Sequence, residues 1–214
     1  MSFLLRPPVL QGILVRLEPL SAVHAGDLAV SAEEDRSAYA FTFVPRAQGV
    51  GDYLAAHSER ERIGKLAPFA QVRLADGRAV GVTAYWDPRS WPGRRQLCAV
   101  EIGWTWLAAS AQRTGINAEA KYLLLEYAFE TMGVARVDLK TDARNDRSRR
   151  AIAGLGAHFE GVLRRWSPSH APGEEGQLRD SAMFSVIAPD WPATTAALQN
   201  RRTRPRAAGT GTPG

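Results

Sequence analysis

Apolar and polar positions alternate over residues 12–20, GILVRLEPL, as in a strand with one buried face. The period then lengthens. SAVHAGDLAVSAEE (21–34) opens on Ser21, a good helix cap, and predicts a helix; GDYLAAHSERERIG (51–64) predicts a second, stopped by Gly64. PFAQVRL and AVGVTAYW flank ADGR, a hairpin signal. WDPRSWPGRR (86–95) is expected as a loop and QLCAVEIGWTWL (96–107) as a long strand. An amphipathic helix is expected from about Asn117, its cap, to Met132, with Gly133 as its stop. ARVDLKT then predicts a strand, and NDRSRRAIAGLG (145–156) a short helix ended by Gly156. HFEGVLRRW and RDSAMFSVIA predict a final antiparallel pair, and PDWPATTAALQNRR a short terminal helix.

The order β, α, α, β, β, β, α, β, α, β, β predicts a mixed α/β fold. Its hairpin-linked strands are antiparallel, and the crossover from 98 to 141 makes one parallel, right-handed pair. A ligand belongs at the carboxyl end of the strand that feeds such a crossover. The residues there are QRTGIN (112–117).

Composition adds limits. The 214 residues, 45% apolar and 23% charged, suit one globular domain, taken as residues 1–200. No apolar run reaches the length of a membrane span, and MSFLLRPPVLQG lacks a signal-peptide core, so the expected location is cytoplasmic. Cys98 is alone; no internal disulfide and no cysteine pair for zinc is available, and a buried, inert thiol is expected. No metal is expected. The net charge of +5 is mostly a tail: residues 201–214, RRTRPRAAGTGTPG, hold four arginines and no acid, leaving 23 basic and 22 acidic residues elsewhere. That tail is expected to be disordered. It could touch nucleic acid weakly; the near-neutral body argues against this as the main function.

QRTGIN offers main-chain amides from Arg113 to Ala118 at a helix mouth. Gly115 lets the backbone approach a ligand, and Arg113 adds a charge, so the loop is a candidate anion site. Glu119, in the first turn, suits this only if it points away.

VEIGWTWL, then AQRTGINAEAKYLLLEYAFE, then a strand, then NDRSRRAIAGLGAHFEGVLRR together resemble the Gcn5-related N-acetyltransferase superfamily. Within it the similarity is to the ribosomal-protein N-terminal acetyltransferase-like branch, over roughly residues 10–190. That family carries Q/R-x-x-G-x-G/A between a central strand and a long helix. Gln112, Arg113, Thr114, Gly115, Ile116 and Asn117 fill the six places, with Asn117 where Gly or Ala is usual. Asn145 and Ser148 match its second motif.

The resemblance implies the acyl-CoA N-acyltransferase fold: a mixed, mostly antiparallel sheet with splayed central parallel strands and flanking helices. It implies acetyl-CoA as cosubstrate, its pyrophosphate on Gln112–Ala118 and its pantetheine arm beside the main chain of Thr105, Trp106 and Leu107. Of Arg144, Arg147, Arg149 and Arg150, one or two could face the phosphates. The acceptor implied is an amine, a peptide N-terminus or a small amine; a homodimer stays open. Ser148 is the candidate donor to the leaving sulfur, or else a helix-start serine. Asn145 is a cap or a hydrogen bond on the substrate side. Glu101 is the candidate base, or else half of an ion pair. His170 could reach the acceptor.

An α-amine, pKa about 7.7–8.0, costs only about 1–1.4 kcal/mol to discharge at pH 7, a lysine side chain roughly 4.6. With no strong base evident, the expectation tilts towards α-amines. Tyr85, Trp86, Trp91, Trp104, Trp106 and Trp166 are candidate pocket walls, two or three of them in fact lining it. Simple alternation puts Trp104 and Trp106 on one face and Glu101, Gly103 and Thr105 on the other. Two other readings are a CoA-binding sensor or interaction module without catalysis, and a ribosome or nucleic-acid binder working through the tail.

Overall fold

Alternation at the start of the chain buries Val15 and Leu17 in a short strand, and the lengthened period that follows buries Leu28 and Ala32 on a helix. The computed structural model describes Leu5, residues 8–93 and residues 96–203. In chain order the elements are β1 (Leu10–Gln11), β2 (Val15–Pro19), α1 (Ala25–Glu33), α2 (Val50–Arg62), β3 (Leu66–Arg73), β4 (Ala79–Arg89), β5 (Ala99–Leu107), α3 (Ile116–Glu126), β6 (Arg136–Asp142), α4 (Asp146–Ala153), β7 (His158–Pro168), β8 (Leu178–Ile187) and α5 (Trp191–Thr203). The expected basic tail begins within α5; its residues 204–214 lie outside the described residues.

The strands form one eight-stranded sheet in the order β1-β2-β3-β4-β5-β6-β8-β7. Every pair is antiparallel except β5–β6. That parallel ladder joins only Ala99 to Arg136, Val100 to Val137 and Glu101 to Asp138. Past it, β5 runs on to Leu107 beside β4 alone, and β6 runs on to Asp142 beside β8 alone. The sheet therefore parts at its middle, and the facing edges of 102–107 and 139–142 have no ladder partner. The expected mixed fold with splayed parallel strands is the one observed.

One face of the sheet packs Val100, Ile102, Leu139 and Phe184 against Leu124 of α3, Ile152 of α4 and Leu198 of α5. The other packs Ala70, Val82 and Trp106 against Leu28 of α1 and Tyr53 of α2. Each fully buried leucine contributes roughly 1.5–3 kcal/mol. No helix among the described residues is long and apolar enough to cross a membrane.

Three local expectations are corrected. β4 runs through Arg89, bending at Asp87 (φ 50°), so the loop expected from 86 starts later. Cys98 lies just ahead of β5 and is only half-buried. The central helix starts at Ile116 with Gly115 as its cap at φ 97°, rather than at Asn117. Glycine takes that left-handed conformation without the clash a side chain would bring. The helix continues as a π-turn over Tyr127–Thr131.

A fourth correction concerns β5. Its register with β4 passes from Gly103 to Trp106 while β4 advances only from Ala84 to Val82, and Trp104 sits at φ 53°. This bulge breaks the alternation. Trp104 meets His57 of α2, Trp106 donates to Tyr53 of α2 (3.3 Å), and Gly103 faces Glu101 and Trp86. All four thus share the α2 face. Thr105 instead turns to α3, where Lys121 donates to its hydroxyl (2.6 Å).

Candidate active site

The loop between β5 and α3 is shaped by its own side chains. Gln112 Nε2 donates to the Leu107 carbonyl (2.9 Å), and the Thr114 hydroxyl donates to the Ala111 carbonyl (2.6 Å). Arg113 at φ 61° and Gly115 at φ 97° are both left-handed. Backbone that alternates hands in this way turns successive N–H groups to one side, a concavity that suits an anion. The amides of Gly115, Asn117 and Ala118 have no acceptor among the described residues. Gln112, Arg113, Thr114, Gly115, Ile116, Asn117 and Ala118 are therefore together at one helix mouth, Ile116 buried and Arg113, Thr114, Gly115 and Ala118 exposed.

Glu119 does point away. Its carboxylate, 1% exposed, accepts from the amides of Ile13 (3.1 Å), Leu14 (2.6 Å) and Val15 (3.0 Å) in the β1–β2 turn. Gly12 makes room for it: a Cβ there would stand 2.5 Å from Glu119 Oε2.

Of the four arginines after β6, Arg147 is the one that reaches the loop. It donates to Gln112 Oε1 (2.9 Å) and to the Ala38 carbonyl (3.0 Å). Arg144 holds Asp142 and Glu174, and Arg149 donates to the Ala143 carbonyl and lies over Phe159.

The main chain of Thr105, Trp106 and Leu107 is divided. The Trp106 carbonyl is turned towards β4, and Gln71 Nε2 of β3 reaches across to donate to it (3.2 Å). The Leu107 carbonyl takes both Gln112 and the Tyr39 hydroxyl (3.0 Å). Thr105 lies in the bulge, outside the ladder.

Asn145 caps α4, its Oδ1 accepting from the Ser148 amide (3.0 Å). Ser148 is half-buried, and its hydroxyl makes no hydrogen bond among the described residues.

Glu101 is 5% exposed and lies where the parallel ladder ends. Lys140 Nζ donates to its Oε2 (2.7 Å) and sits 4.4 Å above the Trp86 ring. Burial raises the Glu101 pKa, and Lys140 holds part of that rise back. The pairing across the parted strands joins residues 39 apart in the chain, which no spacing in the sequence signals.

Of the candidate aromatic walls, Tyr85 and Trp106 are core, while Trp91 (70% exposed) and Trp166 (57%) stand out in solvent. Trp86 and Trp104 meet edge to face at 6.2 Å beside Glu101. Phe41 and Phe43, missed in the sequence, form the rim: Arg144 lies over Phe41 (5.1 Å), and Phe43 meets His170 (5.9 Å). Burial lowers the His170 pKa. His57 is 1% exposed and held near pKa 4 by burial; its Nδ1 lies 2.9 Å from the Tyr53 carbonyl, which can only accept, so Nδ1 carries the hydrogen.

Sequence reasoning also missed Lys121. It is 5% exposed on α3 and donates to the hydroxyls of Thr83 (2.8 Å) and Thr105 (2.6 Å). Burial lowers its pKa to about 7.

The gap between β5 and β6, with strand edges outside any ladder along it and an amide-lined helix mouth above it, fits an extended ligand that ends in phosphates. Comparison with known proteins identifies the family. Residues 15–158 match the family model described as an acetyltransferase (GNAT) domain. A GCN5-related N-acetyltransferase from Brucella melitensis superposes with a TM-score of 0.78 at 27% identity, over 90% of this chain and 84% of that one. A crystal structure from T. thermophilus with a provisional acetyltransferase description gives 0.72 at 30%, over 92% and 97%. Mycobacterium smegmatis RimJ, solved in complex with CoA-disulfide, gives 0.72 at 20%, over 91% of each chain, a likeness of fold. None of the curated proteins compared matches the chain.

Proposed function

The chain belongs to the GNAT acetyltransferase family, and from that premise we propose that it transfers an acetyl group from acetyl-CoA to an α-amine or another amine of low pKa. The resemblance to ribosomal-protein N-terminal acetyltransferases supports a peptide N-terminus as the class. The absence of any second cysteine in the sequence is in keeping with a cytoplasmic setting.

One observation carries the reading: the parallel pair parts immediately after Glu101, so a buried carboxylate stands at the apex of a slot that opens towards the anion loop. Acetyl-CoA supplies an activated acetyl thioester. The chain's own residues do the rest. Amides of Gly115, Asn117 and Ala118 receive phosphate oxygens, with Arg147 and Arg113 adding charge. Glu101 accepts the proton of the incoming amine, directly or through water; its raised pKa makes it a better acceptor than an exposed carboxylate. Lys140 orients it. The Ser148 hydroxyl donates towards the sulfur as it leaves, while Asn145 fixes the turn that carries Ser148.

The test is release of free thiol from acetyl-CoA over a panel of peptides, polyamines and amino-sugars. Turnover with an α-amine above lysine side chains is expected. Ser148→Ala should lower kcat about tenfold with CoA affinity kept; equal turnover would return Ser148 to a structural role. CoA binding without acetylation of any amine would favour a sensor instead.

A further inference from the structure

Alternation on β8 sends Ala182, Phe184 and Val186 into the core beneath α3 and α4, so Arg179 and Ser181 point to the opposite, α2 face. On β6, Val137 and Leu139 enter the same core, which leaves Asp138, Lys140 and Asp142 on that α2 face. Asp142 stands opposite Ser181 in the ladder. This polar floor carries Glu101 at one end and Arg179 at the other. The loop 169–177 leads into β8; it is fastened to Arg144 through Glu174 (2.7 Å) and touches Phe43 through His170.

Arg179 is unlike the other charged groups of the floor. It is half-buried, its Nε is fully buried without a hydrogen-bond partner, and its guanidinium forms no ion pair among the described residues. The neighbouring acids are committed elsewhere: Asp142 to Arg144 (2.9 Å), Glu101 to Lys140 (2.7 Å). Ser181 beside it is 0% exposed, and its hydroxyl is also without a partner. Burial lowers the Arg179 pKa and the two acids push it back; arginine stays charged regardless. An Nε–H taken from water with no acceptor is costly, and the planar fork of the guanidinium matches a carboxylate. The two acids close by disfavour a dianion, so a single negative charge suits the place better than a phosphate.

We propose that Arg179 receives a carboxylate of the acceptor: the amines acetylated here carry a carboxylate a few bonds from the nitrogen, from an acidic peptide N-terminus or from a free amino acid. This rests on the reading that an amine enters on the α2 face. Peptides starting with Asp or Glu are compared with their Asn or Gln isosteres, and free amino acids with their amides, by thiol release. The wild-type protein should favour the acid member at least tenfold in kcat/KM, mainly through KM. In Arg179→Met that ratio falls towards one, and Arg179→Lys, which keeps the charge without the fork, gives a value between. A merely structural role would lower both members alike and leave the ratio intact. That result, or equal use of acid and amide by the wild type, overturns the proposal while leaving the amine transferase standing. Acetylation of neither member, with CoA still bound, removes both. The peptide and amino-acid arms identify the source of the carboxylate, and thermal unfolding of each variant confirms that it is folded.

Discussion

Two concavities of backbone amides flank the start of α3, and they have opposite fates. The β1–β2 turn closes its three amides on Glu119, a carboxylate supplied by the chain. The loop 112–115 turns the amides of Gly115, Asn117 and Ala118 outward, with no acceptor from the described residues. The same chemistry is satisfied internally where it ties the amino-terminal strands to the helix, and left open at the mouth proposed here to take the phosphates. The negative residue of the first turn is thereby removed from the open concavity without leaving the helix, where it still opposes the positive end of the dipole.

The most direct way to break this contrast is to fill the open concavity as the closed one is filled. Gly115→Glu adds a carboxylate and a side chain at φ 97°. CoA affinity should fall by about a hundredfold or more, as titration calorimetry would read; unaltered affinity would remove the loop from the ligand. The next test uses the other charge that α3 buries. Lys121 has only two hydroxyls where Glu119 has three amides, and burial brings its pKa to about 7 from 10.5. Between those values the unfolded chain binds the proton that the folded chain has shed, so stability should rise with pH from 7 to 10.5. The slope is at most about 1.4 kcal/mol per pH unit. Denaturant titrations of Lys121→Met should flatten it; a slope equal to that of the wild type would show that Lys121 keeps its proton. The smallest effect is expected from Glu119→Gln. It puts an amide among donors and should cost about 1–2 kcal/mol in unfolding free energy, with a loss below about 0.5 arguing that the turn relaxes around it.

Much of the framework was legible because local signals and tertiary packing agree. Ser21 stands ahead of the first helical turns, ADGR turns between β3 and β4, and Gly133 at φ 65° ends the long helix, as their chemistry dictates. The parted sheet followed from the resemblance. The alternation over VEIGWTWL misled at one residue. A bulge at Trp104 leaves the residue types unchanged and moves only the backbone, so nothing in the letters distinguishes it from a regular strand. Asn117 is a better cap by side chain than Gly115, yet Gly115 won because the turn needs φ 97°. The Glu101–Lys140 pair and the isolation of Arg179 depend on strands that meet only after folding. Lys121 had a faint signature, a lone basic residue on the apolar stripe of AEAKYLLLEY.

If the proposed loop takes the cofactor's phosphates, the β1–β2 hairpin is electrically part of that site without lying in it. The amides of residues 13–15 solvate a minus charge one turn inside the helix. Shear that hairpin away, by a protease or by translation begun downstream, and the bare charge would confront incoming phosphates from below.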